Sequence, residues 1–517
     1  MAQPSYEPLP GSIYGFLDDL SIGHIIRLNK EVKPYSREYI RSLLNTAVRH
    51  RLGLNSTQRS ELDFYLREFS QEKTNGLYNL YRFYYTDSLF SFYASPQFKY
   101  SVISQYGKPA RKRGWGGYIY GTYSSWFGAS LTFNDNGERG KTLDILKELD
   151  PGRGYFINSV RDGWSEYSDV SGSIDFSWKW GAVSLVKDYQ RWGSGEFGQV
   201  ILSDKVSSFP QIRFSMRPAE WLRFYYIHGW LTSNVPDSVN YYPTGMIRSG
   251  KPVLRKEFKQ KFIAANFLSI DLWRYLTVSL GNSVIYSDYI KPEYLIPFLI
   301  YKFQDHNAGR DDDAGANGQL FFDINLSFPV NYKFYSTVLI DMIDPVELLK
   351  GDTHSSWLGY TFGFKRTNLF IANLSFGAEY TKIDPWVYEH YIPTTTYKHL
   401  NYTLGHWIGQ NADDLRLQAE YKALRGLNFS LYFERLRKGG MKDISFAYTK
   451  TENLPFLYGP LRNDYYLGLV ARYELLYNFS IQFSYRYSDI SDQDTIRTPS
   501  YMSGYHHSLS LQFSCGL

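Results

Sequence analysis

Apolar and polar residues alternate in strand-length segments from about residue 80 almost to the end of the chain. In the sharpest case Phe479, Ile481, Phe483, Tyr485 and Tyr487 share one parity, and Ser480, Gln482, Ser484, Arg486 and Ser488 the other. Successive strand side chains point to opposite faces, so such a segment is a ribbon with one apolar and one polar side. The pattern recurs with Leu427, Phe429, Leu431 and Phe433, with Leu415, Leu417, Ala419 and Tyr421, and with Leu374, Phe376, Ala378 and Tyr380. Leu320, Phe322, Ile324, Leu326 and Phe328 repeat it, as do Ile174, Phe176, Trp178 and Trp180. A soluble, carbohydrate-binding sandwich would bury such ribbons between two sheets. Charges on the minor face, such as Arg416, Glu420, Lys422 and Arg486, fit a wet lumen better, which turns the apolar side to lipid.

Residues 12–72 follow a helical period instead. Ser12 is placed to cap a turn carrying Ile13, Phe16, Leu17 and Leu20, and Pro34-Tyr35-Ser36 opens a segment with Ile40, Leu43, Leu44 and Ala47 that stops near Gly53. Asn55 and Gln58 have capping-box spacing ahead of Leu62, Tyr65, Leu66 and Phe69. Their apolar stripes are narrow and about 60 residues are few for an independent core, so these helices are expected at the barrel mouth. The predicted organisation is a short-helix region over residues 1–74 and an outer-membrane barrel over 75–517. At some 9 to 11 residues per tilted strand, the second region holds about 16 to 20 strands, an even number centred on 18. The fold class is therefore an all-β transmembrane antiparallel β-barrel preceded by a small α-helical bundle. Long polar or Gly/Pro-rich loops are expected at 134–169, 234–251, 304–318, 344–354, 382–409 and 438–462, facing outside the cell.

Composition sharpens this picture in a few places. Of 517 residues, 18% are aromatic and 47 are Tyr, an amphipathic ring that collects at membrane–water interfaces. The longest nearly unbroken apolar stretch, Tyr294 to Tyr301, is interrupted by Pro297 and falls far short of the roughly 20 residues of a spanning helix. A net charge of +5 gives no reason to expect nucleic acid as a partner. The lone Cys515 forms no internal disulfide. Met1-Ala2-Gln3-Pro4 lacks the basic and apolar regions of a signal peptide, which is inferred to have been removed.

Motifs with catalytic or metal-binding potential are weak. Gly137-Glu138-Arg139-Gly140-Lys141-Thr142 ends like a phosphate loop, but Asp135 stands where the first glycine belongs, so a surface loop is expected. Asp311 to Gly318 lacks the spacing and distal Glu of a calcium loop. His390, His399 and His406 have no helical metal-ligand spacing, and no Gly-x-Ser-x-Gly elbow occurs. No catalytic residue, metal or cofactor is expected.

One segment points to a family. Asp188-Tyr189-Gln190-Arg191-Trp192-Gly193-Ser194-Gly195-Glu196-Phe197-Gly198, followed by Leu202-Ser203-Asp204 and Pro210, resembles the tryptophan-glycine stretch of the Wzi-like capsule-assembly proteins of Gram-negative outer membranes. Leu9-Pro10, Phe16-Leu17-Asp18 and Lys33-Pro34-Tyr35-Ser36-Arg37 resemble that family's helical opening, and Asp341 and Asp344 its mid-barrel acidic strand end. Glu379 to His390 and Leu404-Gly405-His406-Trp407-Ile408-Gly409 resemble Bacteroidetes-like members. Many members have a doubled Trp and a proline after the glycine, where this chain has Arg191-Trp192 and Gly193-Ser194.

The resemblance implies a non-enzymatic, monomeric outer-membrane protein that holds capsular polysaccharide at the cell surface as a lectin-like anchor, with membrane lipids as its other partner. Sugar C–H faces lie on Trp and Tyr rings, and hydroxyls and acidic groups pair with Asp, Arg and Lys. On that chemistry Arg191, Trp192, Asp204, Lys205, Trp386 and Tyr388 are the polysaccharide-contact candidates. The competing reading makes Trp192 and Trp386 girdle aromatics, Asp204 a turn cap, and Gly193, Gly195 and Gly198 a bend in the barrel wall. A substrate-selective porin and a barrel hydrolase are the alternative functions.

Overall fold

A computed structural model describes residues 5–9, 11–69, 82–144, 147, 149–302, 315–328, 331–343, 356–449 and 454–516. The alternating segments close into an antiparallel barrel of 18 strands, the centre of the expected range. In chain order these are β1 (Phe90–Gln105), β2 (Lys108–Tyr123), β3 (Phe127–Arg139), β4 (Trp164–Trp178), β5 (Gly181–Asp188) and β6 (Phe209–Ala219). Next come β7 (Leu222–Pro236), β8 (Phe258–Trp273), β9 (Leu276–Ser287), β10 (Asn317–Phe328), β11 (Tyr332–Met342) and β12 (Trp357–Arg366). The wall is completed by β13 (Leu374–Ile383), β14 (Ala412–Leu424), β15 (Leu427–Lys438), β16 (Arg462–Leu476), β17 (Phe479–Asp492) and β18 (Gly504–Cys515). Each pairs with its sequence neighbour, and β18 closes on β1 with Leu509 opposite Ser104 and Cys515 opposite Phe98.

The pleat sorts side chains as the alternation demands. Phe322 and Ile324 of β10, and Ile481 and Phe483 of β17, are exposed on the outer wall, whereas Gln319, Asp323, Ser480 and Ser488 are buried inside. An outer belt of exposed apolar residues on a closed sheet is what a bilayer requires, because closure leaves no unpaired strand edge. No described helix is long and apolar enough to cross a membrane.

One rim carries tight turns, such as Lys179–Trp180, Arg274–Tyr275, Arg425–Gly426 and Tyr477–Asn478. The strand ends that flank the six expected long loops lie at the other rim. The strands run further into them than the sequence suggested, so Asn134 and Asp169 still pair with each other in the β3–β4 ladder. Asp311, Asp312, Asp313, Ala314 and Asp344 lie outside the described residues, as does the 74/75 boundary.

Helices α1 (Ile13–Ile22), α2 (Arg37–Arg49) and α3 (Ser56–Phe69) stand at the tight-turn rim, and Tyr477 of the β16–β17 turn enters their apolar core. Asn55 and Gln58 form the expected capping box, each side chain bonding the other's backbone N–H at 2.9 and 3.1 Å. Ser36 caps α2 through Tyr39 N at 3.2 Å. Ser12 does not cap α1. Its hydroxyl donates to Glu474 of β16 at 2.9 Å, tying the bundle to the wall.

Candidate functional site

The lumen is divided into two chemically different halves. Residues 189–208 and 384–411, the connections after β5 and β13, fold back into the barrel. Val200, Ile201, Leu202, Val387, Leu404 and Ile408 join inward Ile227, Ile263, Phe267, Phe321 and Leu339 in one apolar core. Backbone groups inside such a core must be paired, and wall carboxylates do this. Asp323 accepts from Ser194 N and Oγ at 2.8 and 2.7 Å, and Glu379 from Glu196 N and Phe197 N at 2.6 and 3.1 Å.

The glycines of this loop allow close packing inside the barrel; they do not bend its wall. A Cβ on Gly195 would meet Gly198 O at 2.0 Å, and one on Gly198 would meet His406 Nε2 at 2.1 Å. Burial pushes the three loop histidines down, His390 and His399 to about 4 and His406 to about 3, so all three are neutral packing groups near pH 7. Among the described residues no cluster of His, Cys, Asp or Glu could hold a metal.

The six residues expected to touch polysaccharide fall into two groups. Trp192 is 1% exposed, its ring stacked 5.7 Å from that of Phe267 and edge-on to Phe321. Tyr388 is buried, stacked on Tyr397 at 5.6 Å, with its hydroxyl on Val200 O at 2.7 Å. Trp386 is also buried, 6.1 Å from the ring of Tyr458. These three rings lie inside the apolar half, not in a membrane girdle, and have protein partners of their own.

Arg191, Asp204 and Lys205 form the second group. Arg191 grips Asp204 with two hydrogen bonds of 2.7 and 3.0 Å, and Arg153 approaches the same carboxylate at 3.4 Å. Burial works to raise the Asp204 pKa, but the two guanidiniums outweigh it and hold the carboxyl below the usual aspartate range. Lys205 Nζ donates to the backbone carbonyls of Lys147, Asp150 and Gly152. Both residues therefore shape the segment around 147–153 from behind.

That segment is one wall of the polar half, a cavity of about 360 Å³. Its lining includes the cations Lys99, Lys112, Arg113, Lys147, Arg153 and Arg472 against the carboxylates Glu138, Asp150 and Asp169. Glu138 is shared by Lys112 at 3.2 Å and Lys147 at 2.8 Å. Lys99 and Arg472 have no ion pair or side-chain hydrogen bond among the described residues. Tyr155 and Tyr167, stacked at 4.2 Å, supply an aromatic face, and Gln482, Gln512, Ser480 and Ser514 supply neutral hydrogen-bonding groups. An anion with an apolar face and several hydroxyls fits this lining by charge and by chemistry.

A buried ionic hub ties the bundle, the inserted loop and the wall together. Asp18 of α1 meets Lys30 and Lys333 at 3.3 Å and Lys365 at 3.0 Å, and Glu196 meets Lys333 at 2.8 Å. Burial alone would raise the Asp18 pKa; Lys333, Lys30 and Lys365 hold it well below the usual range.

No family model and no curated protein matches the sequence. Among solved structures the chain is similar to Wzi of Escherichia coli, described as an outer membrane protein involved in group 1 capsule assembly and a carbohydrate-binding β-barrel. The two share 12% identity and a TM-score of 0.59 over 97% of this chain and 98% of that one. The fold is Wzi-like. Pseudomonas aeruginosa OprD aligns with a TM-score of 0.44 at 10% identity, over 82% of this chain and 94% of that one. Acinetobacter baumannii OccAB1 gives 0.43 at 10%, over 82% and 95%.

The sequence reading missed Lys99, Lys112, Arg153, Tyr155, Tyr167 and Arg472. Lys99 and Arg472 sit on the polar parity of β1 and β16, a signal shared by every lumen-facing residue. Nothing local marks them as neighbours, because β16 reaches β1 only through β17, β18 and barrel closure.

Proposed function

We propose that this protein is a non-enzymatic outer-membrane barrel that holds acidic surface polysaccharide, of the capsular kind, by taking charged sugar units into the polar half of its lumen. The observation that carries this reading is the cavity itself, with six cations facing three carboxylates and a stacked tyrosine pair in the same wall. Lys99 and Arg472 pair with the carboxylate or phosphate of the sugar, Tyr155 and Tyr167 lie against its C–H face, and Asp204 and Lys205 keep the 147–153 wall in place. The long-loop rim faces outward, as expected for barrels whose short turns lie in the periplasm. The Wzi-like fold supports the same reading.

Each charge-assisted hydrogen bond contributes about 1.5–3 kcal/mol, so Lys99→Ala with Arg472→Ala should weaken binding at least about tenfold. The ligand to use is surface polysaccharide purified from the parent strain, native and carboxyl-reduced. Equal binding of both polymers, or of wild type and variant, would rule out the cavity as the site. In cells lacking the gene, polymer made in normal amount but shed into the medium supports anchoring, whereas unchanged attachment rejects it.

A second reading, a substrate-selective porin, draws on Arg472. This residue also lines a recess of about 230 Å³ between the helical bundle and β14–β16, together with Glu61, Glu420, Lys422 and Glu474. A polar route along this side of the lumen would conduct ions; an anchor filled by its own loops would not.

A further inference from the structure

The outer wall at β7, β8 and β9 breaks the rule that lipid-facing positions are apolar. Ile227 and Phe267 of these strands face the lumen with Trp192, so the alternate positions Phe224, Tyr226, His228, Phe262, Asn266, Asn282 and Tyr286 face away from it. All seven are nonetheless buried. Asn266 and Asn282 stand opposite each other in the β8–β9 ladder, midway along the strands, where an uncovered amide facing hydrocarbon is costly.

The cover is residues 291–302 of the connection after β9, which contain the longest apolar stretch of the sequence. These residues lie along the wall. Tyr294 and Tyr301 pack into a cluster with Phe224, Tyr226, Phe262 and Tyr286, and the Phe298 ring stacks 4.6 Å from that of Phe224. Phe224 is in register with Leu268, Leu268 with Leu280, and Leu280 with Phe322. Leu280 and Phe322 are exposed on the outer face, so Phe298 reaches a level where the bare wall meets lipid.

An irregular segment at that depth must find partners for its peptide groups without water, and the wall supplies them. Asn266 Nδ2 donates to Pro297 O and Leu299 O, both at 2.8 Å. Asn282 Oδ1 accepts from Tyr301 N at 2.7 Å, and Asn282 Nδ2 donates to Asn266 Oδ1 at 2.7 Å. Tyr226 and Tyr301 hydroxyls donate to Tyr294 O and Ile296 O at 2.9 and 3.0 Å. The strap turns Leu295, Ile296, Phe298 and Ile300 outward, all exposed and continuous with the lipid-facing belt. At the segment's end Lys302 Nζ returns to the rim, donating to Gly318 O and Asp341 O at 2.5 and 2.6 Å.

We infer that residues 291–302 are a re-entrant strap embedded in the bilayer, with lipid acyl chains as the partner of Leu295, Ile296, Phe298 and Ile300. The paired asparagines are the polar clamp that lets an irregular backbone lie there. This inference is independent of the ligand in the lumen.

Nitroxide accessibility tests it on the full chain reconstituted in phosphatidylcholine vesicles. Phe298→Cys and Ile300→Cys are made separately in a Cys515→Ser background and spin-labelled, with folding checked by heat-modifiable migration. Leu280→Cys on the bare wall and Ile496→Cys, 93% exposed near the long-loop rim, are the references. The ratio of oxygen to nickel-chelate collision at 298 and 300 should match that at 280 and exceed that at 496 severalfold. A ratio like that at 496 places the segment in water and overturns the proposal. Protection from both reagents with dipolar broadening would show a second copy of the chain covering the strap, and would overturn it too.

Discussion

At the residue scale, Trp192 shows how one ring can satisfy the chemistry of a sugar contact and still be core. Its indole is 1% exposed, stacked on Phe267, with Nε1 donating to Gln190 Oε1 at 3.3 Å. Truncating a buried aromatic leaves a void as well as losing transfer energy, so Trp192→Ala is expected to destabilise by about 3–5 kcal/mol. The measurement is the temperature at which the compact band is lost on unboiled gels. An unchanged transition with weaker polysaccharide binding would instead make Trp192 a ligand contact. Lys205 illustrates the reverse case, a cation that sequence alone offers to a ligand and the fold commits to three backbone carbonyls. Exposure and partners separate these uses, and neither is written in the identity of the residue.

At the element scale, the 384–411 connection behaves as part of the core. His390, His399 and His406 lie within it, pushed from the usual 6.5 to about 4, 4 and 3. The folded protein keeps them neutral, whereas the unfolded chain takes up protons below about pH 6.5. More protons on the unfolded state mean that stability falls as pH drops from 6.5 toward 4 and recovers on return. The transition temperature of wild type should decline across that window, and His399→Gln with His406→Gln should flatten the decline. A wild-type profile level from pH 6.5 to 4 would contradict the buried, neutral assignment. The glycine run of the 189–208 loop belongs to the same packing problem. Its spacing looks like a wall bulge in sequence, yet Gly198 is where the His406 ring presses on the backbone.

At the scale of the whole molecule, two inserted loops pack inside the barrel and a helical bundle stands at its tight-turn rim, joined by the Asp18–Lys333–Glu196 hub. Wild-type protein in a planar bilayer is therefore expected to stay at baseline conductance. Asp18→Asn with Glu196→Gln, which removes both carboxylates from the hub, should produce transient openings. Steady ohmic conductance of the wild type would mean that the polar half is a channel.

The sequence by itself determined the barrel, its strand number to within the expected range, the helical preface with its Asn55–Gln58 capping box, and the rim that bears the long loops. These follow from period-2 and period-3.6 patterning and from local turn and capping chemistry, which are properties of neighbouring residues. Only the tertiary structure decided which polar-parity residues share a cavity, which loops turn inward, and which one lies against the outer wall. Lys99 and Arg472 are brought together by closure of β18 on β1, and Asn266 finds Pro297 and Leu299 only because the chain doubles back along β7–β9. The physical reason is the same in each case. Alternation fixes which face a side chain occupies, whereas its partners depend on contacts between residues far apart in the chain.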